Sequence, residues 1–79
     1  MSNLKKYKNS FCEALETTED KLNGLKYQDT EHWDSIGHMN LIAVIEDEFD
    51  IMIETDHIID FSSFEKGMEI LTKNYDINF

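Results

Sequence analysis

The feature that most constrains this chain is the spacing of its apolar residues, which return every three or four positions and not every second one. Leu4, Tyr7, Phe11 and Leu15 fall on one stripe of a helix expected over residues 3–16. Leu41, Ile45 and Phe49 repeat the pattern, widened by Ile42 and Val44, and Ile36, Met39 and Ala43 lie on an adjacent strip. Phe64, Met68, Leu71 and Tyr75 continue it near the C-terminus. This is the period of the amphipathic α-helix, and each stripe needs a neighbour to cover it. No proline interrupts it, and glycine occurs three times. The segment "FDIMI" has strand character but no similar segment to pair with. The expected fold is therefore all-α: three main helices, one short helix around Asp56 to Asp60 with Ile58 and Ile59 facing inward, and a long loop between the first two helices.

That loop spans residues 17–34. Thr17-Thr18-Glu19-Asp20 reads as a break followed by a cap, and Asn23-Gly24 as a turn. Leu22, Leu25, Tyr27 and Trp33 are its expected anchors, because a connection this long stays ordered only when tied to the core. Either Asp34 or Ser35 can cap the second helix by accepting a backbone N–H. Ser62-Ser63-Phe64-Glu65 has the Ser-x-x-Glu spacing of a capping box, and Asn74 can end the last helix. Glu46, Asp47, Glu48 and Asp50 crowd the end of the second helix, where carboxylates oppose the dipole, so packing or a partner must offset them.

Seventy-nine residues make one domain, 1–79, with too few walls for a large catalytic pocket. The hydrophobic share, 41%, suffices for one modest core. Seven basic residues against seventeen acidic ones give a net charge of −10, and Tyr27 to Glu65 holds eleven carboxylates and no lysine. Such a surface repels nucleic-acid backbones and anionic membranes, attracts basic protein patches, and favours a monomer. Cys12 is alone beside Phe11 and Leu15 and reads as a small core hydrophobe. Lys5, Lys6 and Lys8 precede no apolar run, so no signal peptide or membrane span is expected, and the location reads as cytoplasmic.

Three chemistries could use the segment "HWDSIGHMNLIAVIEDEFDI". Ser35 and His38 stand three apart, but no glycine-rich turn provides an oxyanion hole and "WDSIG" is not a nucleophile elbow, so no catalytic residue is assigned. His32, His38 and His57 are scattered, and "DEFDIMIETD" lacks the spacing of a calcium loop, so no metal site is assigned. Covalent modification fits best. A serine hydroxyl at a helix N-terminus points away from the core, and a phosphodiester there meets the positive end of the dipole and free N–H groups.

Over nearly its whole length the chain resembles an acyl carrier protein. The resemblance rests on "DSIG" at 34–37, near the family's Asp-Ser-Leu signature, on "IEDEFDI" closing the second helix, and on "FSSFEKGMEIL" opening the last. It implies an antiparallel four-helix bundle with a short third helix. It further implies a 4′-phosphopantetheine arm on Ser35, next to Asp34, attached from coenzyme A by a phosphopantetheinyl transferase. Acyl or aminoacyl groups would then travel as thioesters between enzymes whose basic patches read Glu46, Asp47 and Glu48, with Ile36 and Met39 as apolar contacts. A gap near Ile45, Ile58 and Ile59 would shelter a short chain. Three positions depart from carriers of bulk fatty acid synthesis: Gly37 stands for an acidic residue, Asn40 for Glu and Glu54 for Pro. With these departures, "WDS" and "GHMNL" look more like carriers of a specialised polyketide, surface-glycan or aminoacyl pathway. The alternative is an unmodified acidic helical interaction module.

Overall fold

The computed structural model describes residues 2–79, and within them the chain is a small all-α bundle. Helix α1 runs Asn3–Leu15, α2 Ser35–Phe49, α3 Thr55–Asp60 and α4 Phe64–Tyr75, with a 3₁₀ turn at Glu19–Lys21. The three long helices are those the apolar spacing requires.

α1 starts on Ser2, whose hydroxyl accepts from Lys5 N, and ends on Glu16 in the left-handed region at φ 52°. Lys5 lies in a first turn that disfavours cations, and it is held by Glu19 at 2.9 Å. The helix buries Tyr7, Ser10, Phe11 and Leu15 and packs along α2. Ser10 is satisfied within the helix by donating to Lys6 O at 2.8 Å. Cys12 is half-buried.

The long loop is anchored where expected: Leu22, Leu25 and Trp33 are buried and Tyr27 is half-buried. Gly24 adopts φ +76°, so Asn23-Gly24 does form a turn in the left-handed conformation glycine tolerates. The loop is then laced to the start of α4. Tyr27 N donates to Ser62 O and Phe64 N to Leu25 O, each at 2.9 Å, around an isolated antiparallel bridge between Lys26 and Ser63.

This lacing displaces the expected capping box by one residue. Ser62 spends its carbonyl on the loop, and Ser63 is the N-cap of α4, accepting from Lys66 N at 2.9 Å. Glu65 accepts from Gly24 N instead of closing a box. At the other end α4 continues through Tyr75 to a left-handed Asp76, and Asn74 donates back to Ile70 O. "FDIMI" forms no strand, and residues 51–54 are an irregular connection with Ile53 buried.

The core is an aromatic cluster wrapped in aliphatic side chains. Phe11 meets Tyr7 edge-on at 5.0 Å, Phe64 at 5.1 Å and Trp33 at 5.4 Å between centroids. Tyr7 donates to Phe64 O at 2.6 Å, and burial pushes its phenol well above the usual range. Gly67 makes this possible: a Cβ there would lie 2.2 Å from Tyr7 Oη and 2.3 Å from the Phe61 ring.

α3 differs from expectation. Ile58 is half-buried, but Ile59 is 74% exposed, because adjacent residues of a short helix point about 100° apart and cannot both face one core. α3 buries no residue fully. It is held by hydrogen bonds instead: Tyr75 Oη accepts from Glu54 N at 2.8 Å and lies 2.7 Å from His57 Nδ1.

Candidate functional site: a free serine at the rim of an apolar groove

Of the two residues able to cap α2, Asp34 does so. Its Oδ1 accepts from Gly37 N at 2.8 Å. Ser35 is the first helical residue, is exposed, and has no capping duty. The N–H groups of Ser35 and Ile36 lie in the first turn, before any intrahelical acceptor, so they too remain available.

Gly37 fixes how the loop meets this end of the helix. A Cβ on it would fall 1.8 Å from the carbonyl oxygen of His32. Gly37 thus marks a close approach of the loop backbone to the helix, beside the candidate serine.

Behind Ser35 lies a relay that spacing alone could not reveal. Trp33 Nε1 donates to His38 Nδ1 at 2.9 Å, and His38 Nε2 lies 2.8 Å from Ile58 O. An indole nitrogen only donates, so Nδ1 must accept and the proton sits on Nε2, directed at Ile58 O. Loop, α2 and α3 are joined through one neutral imidazole. Both ring nitrogens are engaged there, and neither is left to activate Ser35.

Ser35 sits on the rim of a groove of about 380 Å³ walled by Tyr27, His38, Met39, Ile58, Ile59 and Phe61. The groove lies between α2 and α3, as the expected gap does, but Ile45 is fully buried and does not line it. Ile36 is 81% and Met39 56% exposed, so both stand on the surface near Ser35. Ile58 and Ile59 do line the groove as expected, and Ile59, expected to face the core, instead extends the apolar surface beside Met39.

The acidic residues divide. Asp47 and Glu48 are exposed, whereas Glu46 is half-buried and its Oε2 accepts from Ile53 N at 2.8 Å. Glu46 is thus spent on holding the α2–α3 connection. Among the described residues no cluster of three or more His, Cys, Asp or Glu is placed to hold a metal, and no helix is long and apolar enough to cross a membrane. Comparison with protein-family models, curated proteins and solved structures finds no match to this chain.

Proposed function

We propose that this chain is a carrier of the acyl carrier class, bearing acyl groups as thioesters on a 4′-phosphopantetheine arm attached to Ser35. The observation that carries the reading is the division of labour at the start of α2. Asp34 caps the helix, and the hydroxyl of Ser35 stays exposed at the rim of an apolar groove. In loading, Ser35 Oγ would attack the pantetheine-bearing phosphorus of coenzyme A. A new P–O bond forms, the pyrophosphate bond breaks, adenosine 3′,5′-bisphosphate leaves, and the serine proton passes to a base of the transferase. The first-turn N–H groups and the dipole of α2 suit the resulting anion. The arm supplies a terminal thiol for thioester chemistry.

The surface suits brief docking. Ile36 and Met39 offer apolar contact near Ser35, and Asp47 and Glu48 offer charge to the basic patches of a transferase and of acyl- or aminoacyl-transferring enzymes. The reading includes a monomer in the cytoplasm, itself without catalytic activity, serving a specialised polyketide, surface-glycan or aminoacyl pathway in preference to bulk fatty acid synthesis. The second reading is an unmodified acidic interaction module, favoured by the net charge of −10.

Labelling with a fluorescent coenzyme A conjugate and a broad-specificity transferase separates them. The wild-type protein should take up one label and Ser35→Ala none, with the helical circular-dichroism signal preserved. Label on another residue of Ser35→Ala would remove the site assignment.

A further inference from the structure

We propose that Tyr27 is a positioning residue for the phosphodiester on Ser35; the inference rests on the carrier reading above. The phenol is held in a fixed attitude. Its ring stands edge-on to Trp33 at 6.2 Å and to His38 at 5.4 Å, and its backbone N–H is bonded to Ser62 O at 2.9 Å. Trp33 is fully buried and His38 is tied to both Trp33 and Ile58, so the two rings that clasp Tyr27 cannot yield easily.

The hydroxyl that this clasp presents is unexplained by packing. Tyr27 Oη lies 3.5 Å from Ser35 Oγ, its one polar contact among the described residues. That separation is too long for a strong hydrogen bond between two hydroxyls. Phenylalanine would fill the same place edge-on against the stacked rings of Trp33 and His38, on the wall of a groove that is otherwise mainly apolar.

A tetrahedral phosphorus on Ser35 Oγ changes the geometry. Its nonbridging oxygens project into the space beside the serine, within reach of a phenol already 3.5 Å from the bridging atom. Tyr27 O–H then donates to an anionic oxygen, a stronger bond than either hydroxyl can give the other. The need for such a donor follows from the charge pattern. No lysine lines the groove, and none occurs from Tyr27 to Glu65. A neutral phenol from the loop complements the first-turn N–H groups of α2. The anion is held from two sides, and the first atoms of the arm are directed along the wall formed by Met39 and Ile59.

The test uses the full chain loaded from coenzyme A, with loading confirmed by mass, as wild type and as Tyr27→Phe. In the loaded wild type, nuclear Overhauser contacts should link the Tyr27 ring protons beside the hydroxyl to the methylene next to phosphorus. In loaded Tyr27→Phe the ³¹P resonance should move towards that of a free phosphopantetheinyl-serine, with circular dichroism and Trp33 emission unchanged. Absence of the contact in loaded wild type, or coincident ³¹P resonances in the two proteins, overturns the role of Tyr27 and leaves the carrier reading standing. Should Tyr27→Phe fail to fold, the wild-type contact alone decides. Failure of folded apo-protein to load at Ser35 overturns both.

Discussion

Asp34 and Ser35 are both able to cap a helix, and the division of that task between them could not be read from their types. It depends on which oxygen the loop geometry brings to Gly37 N, and that geometry depends on Gly37 itself. Gly37→Ala sets the usual helical gain from alanine, about 0.5–1 kcal/mol, against a clash with the backbone of His32. Backbone cannot rotate away as a side chain can, so the clash should win, and a net loss of about 1–3 kcal/mol is expected. Thermal unfolding measures it, and a raised Tm would show that the close approach is not required. Cys12 supplies a second prediction at this scale. Partial burial, aided by the nearby Glu19 carboxylate, pushes its thiol up from the usual range. A raised value means less thiolate at neutral pH, so alkylation should run several-fold slower than for a free cysteine and recover only at higher pH. Iodoacetamide rates against pH check this; a rate equal to that of an unstructured cysteine peptide would contradict it. A carrier's arm thiol, exposed on its tether, would react faster than Cys12.

At the scale of elements, α2 combines a folding task and a surface task that substitution can separate. Glu46→Lys removes the acceptor for Ile53 N and should destabilise the protein by about 1–2 kcal/mol. Asp47→Lys with Glu48→Lys places cations at a helix C-terminus, where the dipole favours them, so stability should hold or rise slightly. Loading by a transferase should nevertheless slow by roughly tenfold at low salt and converge on wild type as salt screens the field. Loading rates across ionic strength test this, and salt-independent rates equal to wild type would contradict steering. The helices α1, α2 and α4 were legible because apolar residues every three or four positions state a buried face directly. Local detail was less so. Ser62 and Ser63 are chemically alike, and only the bridge to Lys26 decides which one caps α4. Ile58 and Ile59 both looked like core, yet a helix as short as α3 has room for one of them inside. The Trp33–His38–Ile58 relay joins positions far apart in sequence through a backbone carbonyl, which leaves no trace in residue spacing.

For the whole molecule, a net charge of −10 on 79 residues sits around a core centred on Phe11, Trp33 and Phe61. α3, tied by hydrogen bonds at Glu54, His57 and Ile58 but burying nothing fully, covers one side of the groove beside Ser35. On the carrier reading proposed above, the acidic surface would serve to meet basic partners quickly and release them. The most direct measurement is intact-protein mass spectrometry of demonstrably apo-protein, before and after incubation with coenzyme A, magnesium and a broad-specificity transferase. The carrier reading requires the gain of one phosphopantetheinyl group, located by fragmentation at Ser35. Folded protein that stays at its apo mass with several active transferases would contradict it and leave the acidic interaction module as the better description.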